Sequence, residues 1–109
     1  MAYRVEFTPE ADEHLAGLTA RERATLLDEV ERQLLDQPAV ETRNRKPMRP
    51  NPLAPWELRI GRLRVYYEVG GDVFPVVTVR AIGVKVRDRV RIGGEWWELG
   101  QEPRTEEGR

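Results

Sequence analysis

Hydrophobic and polar residues alternate along residues 56–67, on either side of a single glycine. Alternation of period two is typical of a half-buried β-strand, and Gly61 followed by one polar residue fits a two-residue hairpin turn. That turn fixes the register, so we expect Arg59 opposite Arg64 and Glu57 opposite Tyr66. One face of the hairpin then carries only apolar side chains: Trp56, Leu58, Ile60, Leu63, Val65 and Tyr67.

The first 37 residues predict one strand followed by two helices. Apolar and polar residues alternate over residues 3–7, which predicts the strand. Thr8 and Pro9 fit the N-cap and the first position of a helix, whose apolar stripe is Ala11, Leu15 and Leu18. A capping box over residues 19–22 predicts a second helix that runs to about Gln37. Its buried stripe is predicted to be Ala24, Leu27, Val30 and Leu34.

The remaining segments complete an α+β domain. Residues 38–55 are rich in proline and basic side chains and predict a mostly irregular crossover. Residues 70–72 predict a second turn, and residues 73–79 a central strand that is apolar on both faces, in which Pro75 fits a bulge or an unpaired position. Residues 84–91 form a basic segment after that strand. The expected order is β-α-α-β-β-β, an antiparallel sheet with an αα-hairpin packed on one face.

Length and composition bound the class of protein. The 109 residues suit a single domain, expected over residues 1–99, with a polar and disordered tail over residues 100–109. The absence of cysteine excludes a disulfide scaffold and thiolate chemistry. No signal-peptide pattern is present, and no run approaches the roughly 18 apolar residues of a membrane span. We therefore expect a cytoplasmic protein with no membrane partner.

The net charge of −1 hides a strongly basic middle. Residues 43–91 carry 12 basic and 4 acidic side chains, whereas residues 1–42 carry 4 basic and 10 acidic ones. Because recognition of a polyanion depends on the local field, the middle predicts a phosphate-binding surface. The acidic helices are expected to cover the opposite side of the sheet.

Arg59 and Arg64 are the most informative of these cations. Like charges directly opposite each other across a ladder are unfavourable. An anion held between them would turn the repulsion into a clamp, because two guanidinium forks can share the oxygens of one phosphate. The alternative is that the two arginines extend into water or pair with Glu57 and Glu68.

With this order of elements and the run Trp56-Glu57-Leu58-Arg59-Ile60-Gly61-Arg62-Leu63-Arg64-Val65-Tyr66-Tyr67, the chain resembles the RelE/ParE toxins of bacterial type II toxin–antitoxin systems. The likeness spans about residues 2–92 and is strong again over residues 81–89. For RelE-like members the resemblance implies an endoribonuclease that inhibits translation by cleaving messenger RNA on the ribosome. For ParE-like members it implies inhibition of DNA gyrase. In both cases it implies a cognate antitoxin as protein partner.

The family's functional positions are matched in part. Arg59 matches the basic residue of the first hairpin strand, and Arg64 matches the arginine before the strand-end aromatic. Glu57 stands where a second basic residue is expected. Lys85 replaces the arginine after the last strand, which keeps the charge but loses the bidentate fork. A tyrosine expected about six residues later falls near Arg91.

Cleavage of RNA by this chain would proceed without a metal or other cofactor, since it has one histidine, no cysteine and no carboxylate cluster in its basic part. The substrate's 2′-hydroxyl would attack the adjacent phosphate, while protein groups move protons and stabilise the oxyanion. Glu57 is the candidate general base, or else an ion-pair partner, and Tyr66 either stacks on a base or is an ordinary strand aromatic. The candidates for charge stabilisation are Arg59, Arg64, Lys85 and Arg91.

Further basic residues are expected to contact phosphates non-specifically, or else to be merely solvated: Arg43, Arg45, Lys46, Arg49, Arg62, Arg87 and Arg89. Trp96 and Trp97 would point to opposite faces of a strand, so one is expected to pack at the domain edge and the other is a candidate partner anchor. His14 is expected at the surface. A third hypothesis for function is a module of the same fold that binds RNA, DNA or protein without toxicity.

Overall fold

The computed structural model describes residues 3–98. Its elements are β1 (Arg4–Phe7), α1 (Pro9–Ala16), α2 (Ala20–Leu34), β2 (Arg45–Pro47), β3 (Trp56–Ile60), β4 (Leu63–Gly70), β5 (Val76–Val86), β6 (Arg89–Ile92) and β7 (Glu95–Trp97). The α+β class and both helices are confirmed. The described range has seven strands rather than the predicted four. β2 forms within the crossover that was expected to be mostly irregular, and β6 and β7 form in segments that the predicted order did not count as strands. The predicted tail lies outside the described residues. Neither described helix has the length and hydropathy to cross a membrane.

One sheet contains all seven strands, with β2-β3-β4-β5-β6-β7 as neighbours and β1 paired to β5. The β1–β5 pair is parallel and the other pairs are antiparallel, which corrects the expectation of an antiparallel sheet at this one pair. β1 pairs along Val76–Val79 of β5, and β6 pairs along its last three residues. The free edge of β5 between these two partners faces α1.

The helix α1 satisfies the backbone of β5 in that interval. The Thr8 hydroxyl donates to the Arg80 carbonyl at 3.3 Å, and the Ile82 N–H donates to His14 Nδ1 at 3.2 Å. Because buried backbone groups are costly to leave unpaired, these two bonds fix α1 against the sheet.

The predicted hairpin register is confirmed in full. Ile60 pairs with Leu63, and Arg59 with Arg64. Gly61 has φ +58°, a conformation that glycine adopts without steric cost. All six apolar residues of the alternation lie in or against the core beneath the helices.

Both helix starts are confirmed, but two of the four residues predicted for the buried stripe of α2 are wrong. Thr8 accepts from the Ala11 N–H, and the capping box between Thr19 and Glu22 is complete. In α2 the buried residues are Leu26, Val30 and Leu34, whereas Ala24 is exposed and Leu27 is 41% exposed. The reason is Arg23, which takes an inward-facing position and donates to the Leu15, Ala16 and Leu18 carbonyls at the end of α1.

The central strand begins later than predicted. β5 starts at Val76, so Pro75 precedes it and Val73 and Phe74 are 80% and 66% exposed in the preceding loop. Pro75 lacks an N–H to donate, and its carbonyl accepts from the Arg4 N–H at 3.0 Å.

The sheet buries both of its faces. The helix face, defined as the face covered by α1 and α2, holds the main core. The opposite face, here called the far face, carries a second cluster in which Tyr66, Ala81, Val90 and Ile92 pack with Ala54, Met48 and Leu53 of the crossover. The crossover therefore covers part of the far face.

Candidate functional site

Glu57 is the centre of the predicted clamp. Its side chain is only 6% exposed, and its Oε1 accepts from Arg59 Nε at 2.7 Å. Its Oε2 lies 3.9 Å from Arg64 Nε. One buried carboxylate therefore holds both guanidiniums together, which is the ion-pair alternative of the sequence analysis. The negative charge of Glu57 balances the cross-strand repulsion between the two arginines.

The two arginines differ in side-chain exposure and in the number of hydrogen bonds that they donate within the protein. Arg64 is 12% exposed in its side chain, and its Nη1 donates to the Gly61 carbonyl at 2.7 Å and the Leu63 carbonyl at 2.9 Å. Burial lowers the pKa of Arg64, and the Glu57 charge opposes that effect. Arg59 is 43% exposed. Arg64 thus braces the hairpin turn, while Arg59 has donors that a ligand can reach.

Tyr66 is not available to stack on a base. Its side chain is fully buried, and its hydroxyl has no hydrogen-bond partner of good geometry within residues 3–98. Burial, and then the nearby Glu57 charge, raise the pKa of Tyr66. Of the two alternatives for Tyr66, this burial favours the ordinary strand aromatic, because the crossover residues pack over the ring.

Lys85 shares the far face with Arg64. Arg64 pairs with Gly83 across the β4–β5 ladder, and Lys85 follows two residues later, so its side chain points to the same side. Lys85 is half-buried, and its backbone N–H donates to the Arg62 carbonyl at 2.7 Å. Arg59, Arg64 and Lys85 form the cationic row, a name kept below for these three residues.

Arg91 does not join the cationic row. It pairs with Val84, and Arg89 pairs with Val86, so both arginines point to the helix face with Val84. Arg91 lies near enough to contribute to lowering the pKa of Glu22, an effect due first to the hydrogen bond from the Thr19 backbone. This register separates Arg91 from Arg59, Arg64 and Lys85, the other three candidates for charge stabilisation.

Arg89 and Arg91 lie against Trp96 instead. Their guanidinium carbons are 4.5 Å and 5.9 Å from its ring centroid, within the range of a cation–π contact. Trp96 is 44% exposed, whereas Trp97 packs against the far-face cluster. The expectation that the two indoles lie on opposite faces is confirmed.

The cations of the crossover separate into different environments. Arg45 is buried, and it donates to the Val40 carbonyl at 3.0 Å and the Gln33 carbonyl at 2.9 Å. It caps the end of α2, where a cation is favourable, so its predicted phosphate contact is corrected. Arg43 is exposed. Lys46, which is 3.6 Å from Glu41, and Arg49 line a cavity of about 390 Å³ together with Glu57 and Arg59.

Arg62 and Arg87 are exposed at the tips of two turns. The turns lie at the same end of the sheet, because β4 begins after the first and β5 ends at the second. Arg87 has φ +61°, which is unusual for a residue with a side chain. Both positions leave the guanidinium accessible to solvent.

His14 is a residue whose role the sequence did not reveal. Its Nδ1 accepts a backbone N–H from β5, and burial lowers its pKa, against the opposing charges of Glu13 and Glu10. The sequence carries no signal for this contact, because the contact depends on the part of the β5 edge that neither β1 nor β6 covers. Within residues 3–98, no three histidine or carboxylate side chains are grouped as ligands for a metal ion.

Comparison of the chain with protein-family models, with curated proteins and with solved structures finds no match.

Proposed function

We propose that this chain is the toxin of a type II toxin–antitoxin pair and cleaves messenger RNA on the ribosome. The proposal is supported by the resemblance of residues 56–67 to RelE-like toxins. It is also supported by the cationic row, which lies on the face of the sheet away from the acidic helices. The observation that carries the proposal is the pair of guanidiniums of Arg59 and Arg64 held on one buried carboxylate.

The pairing makes the far face pre-organised for a phosphate. Glu57 is tied to Arg59 at 2.7 Å, so the Arg59 guanidinium is oriented before any ligand arrives, and less ordering entropy is lost on binding. The adjoining cavity of about 390 Å³, with Lys46 and Arg49 in its wall, would receive a neighbouring part of the nucleic acid backbone.

The chemistry assigned to this face is attack of the ribose 2′-oxygen on the adjacent phosphorus. The bond from phosphorus to the 5′-oxygen breaks and leaves a 2′,3′-cyclic phosphate. The 2′-hydroxyl proton passes to solvent water, and the leaving 5′-oxygen takes a proton from solvent water. The cationic row stabilises the charge of the pentacoordinate phosphorane. Glu57 acts as a positioning residue rather than as a base, because it is almost completely buried between two cations.

The test is induced expression followed by primer extension on cellular messenger RNA. New 5′ ends should appear within translated codons, and Arg59→Ala should abolish them. Arg59 is the informative position, because Arg64 also braces the turn and its loss would disturb the fold. Arg32→Ala is the matched control, since Arg32 is an exposed, ion-paired arginine on α2. Growth arrest without new RNA ends would refute the nuclease.

The second candidate is a toxin of this fold that inhibits DNA gyrase or another protein target. It is favoured by the burial of Tyr66 and by the position of Arg91 on the helix face. A nuclease site on the far face would therefore lack a candidate for base stacking and a candidate for charge stabilisation. Inhibition of gyrase supercoiling by the purified chain, with intact cellular RNA, would support this candidate. Normal growth under strong expression would instead favour a binding module without toxicity.

An antitoxin is the partner implied by either toxin hypothesis. An acidic segment laid over the cationic row would neutralise it by charge complementarity. Such a complex should form only weakly when Arg59 and Lys85 are both replaced by alanine, which co-purification with a candidate antitoxin would measure.

A further inference from the structure

A cleft of about 420 Å³ opens where α1 meets the far face, at the interval in the edge of β5 between β1 and β6. Its polar lining is Glu10, His14, Arg80 and Glu95, with Trp97 as its aromatic wall. Ala81 and Ile92 give it an apolar floor. The volume is within the range of small-ligand pockets, which combine apolar walls with a few convergent polar groups.

The hydrogen-bonding character of His14 is fixed by the fold. Its Nδ1 accepts the Ile82 N–H at 3.2 Å, so the neutral ring carries its proton on Nε2. The Nε2 edge faces Gly93, since a Cβ placed on that glycine would lie 3.0 Å from Nε2. His14 therefore presents a hydrogen-bond donor, not a base, at the wall of the cleft.

The two glutamates give the cleft an acceptor side that is unusual on this basic face. Glu10 comes from the first turn of α1 and Glu95 from the start of β7. The charge of Arg80 is partly neutralised by Glu68, because Arg80 Nη1 lies 3.3 Å from Glu68 Oε1. The cleft thus combines carboxylate acceptors, the guanidinium of Arg80, one neutral donor and an indole.

We propose that this cleft binds a guanine base of the RNA substrate. Guanine presents two adjacent donors, N1–H and the N2 amino group, that suit a carboxylate, and an O6 acceptor that suits His14 Nε2–H. Adenine and cytosine have one donor group on this edge, and uracil has a single N–H. Bases of single-stranded RNA are commonly held by such edge contacts together with stacking on an aromatic side chain, here Trp97.

The position of the cleft relative to the cationic row supports a shared substrate. Ala81 pairs with Tyr66, and Gly83 pairs with Arg64. Ala81 is therefore one strand across and two residues along from Arg64, so their Cα atoms are about 8 Å apart. A phosphate at the row and a base in the cleft can belong to adjacent nucleotides. The inference rests on the proposed nuclease function and assigns its base preference.

The direct test is binding of guanosine 5′-monophosphate to the purified chain, followed by amide and imidazole NMR shifts, with the adenosine, cytidine and uridine monophosphates as competitors. Guanosine monophosphate should shift the signals of His14, Ile82 and Gly93 and bind at least fivefold more tightly than the others. Equal affinity for all four nucleotides, or shifts confined to the cationic row, would overturn the proposal.

Variants localise the effect. Glu95→Gln and Glu10→Gln keep the side-chain shape, and at least one of them should weaken guanosine monophosphate binding about tenfold, as expected for a charged hydrogen bond. Glu98→Gln is the matched control, since Glu98 is exposed at the end of β7 and does not line the cleft. Unchanged binding in both cleft variants would contradict the assignment.

The two proposals fail separately. Cleavage at codons without enrichment of guanine next to the cut would leave the nuclease standing and remove the guanine site. Selective guanosine monophosphate binding without any RNA cleavage would remove the nuclease and keep the site.

Discussion

Replacement of Glu57 by glutamine tests the central electrostatic feature of the molecule. Glu57→Gln keeps the size of the side chain but leaves Arg64, 12% exposed, without its counter-charge. Removing one partner of a buried ion pair costs about 3 to 5 kcal/mol, and the exposed Arg59 recovers hydration, so we expect a loss of about 2 to 4 kcal/mol. With a urea m-value of about 2 kcal/mol per molar, the unfolding midpoint should fall by about 1 to 2 M.

The control for this prediction is Glu68→Gln. Glu68 pairs with Arg80 at 3.3 Å, but both side chains are more than 40% exposed, so its loss should cost less than about 1 kcal/mol. A Glu57→Gln variant no less stable than Glu68→Gln would refute the assignment of Glu57 as the anchor of the clamp. The double variant Glu57→Gln with Arg64→Met should regain part of the loss, because it leaves no buried charge unpaired.

Three further predictions concern stability and pH. Arg45→Met should lower the free energy of unfolding by about 2 to 3 kcal/mol, through lost carbonyl contacts at the end of α2, and should leave the RNA affinity of the folded protein unchanged in filter binding. Gly83→Ala should cost about 1 to 3 kcal/mol in urea unfolding by overpacking, since its Cβ would lie 2.5 Å from Val90 Cγ1, whereas Gly70→Ala, with no atom within 4 Å, should be nearly neutral. Because burial lowers the pKa of His14 below 6.5 in the folded state, the unfolded chain binds the proton first, so stability should be full above about pH 6.5 and fall as the pH drops towards the folded pKa. His14→Gln should flatten that slope between pH 7.5 and 5.5, and an unchanged slope would show that another group is responsible.

The parts of the fold that the sequence predicted well are those set by local rules. A glycine at one turn position fixes a hairpin register, because a shift of one residue would move Leu58 and Val65 to the wrong face. The caps at Thr8 and Thr19 follow in the same way, since helix starts need a side-chain acceptor for free N–H groups. Each of these features depends on residues within a few positions of one another.

The errors arise where two distant segments decide the outcome. Arg91 lies six residues from Lys85 in the chain, yet the reversal at residues 87–88 places it opposite Val84 on the helix face. Arg45 looks like its basic neighbours, but the end of α2 offers it carbonyl acceptors. Neither contact has a signature in composition or periodicity, so charge counting alone overstated the number of basic side chains on the far face.

The far face is therefore better described as graded than as uniformly basic. At one end, Arg62 and Arg87 occupy adjacent turns, and the cationic row leads away from them. Towards the Gly93–Gly94 turn, Glu10 and Glu95 flank the cleft. On the proposed function, a bound RNA strand would have one favourable placement on this gradient, with its phosphates towards the cationic row and a base towards Trp97. It follows that neutralising Arg62 should weaken all RNA strands alike and reduce the salt dependence of binding, whereas changes at Glu95 should alter which base is preferred and leave the salt dependence unchanged.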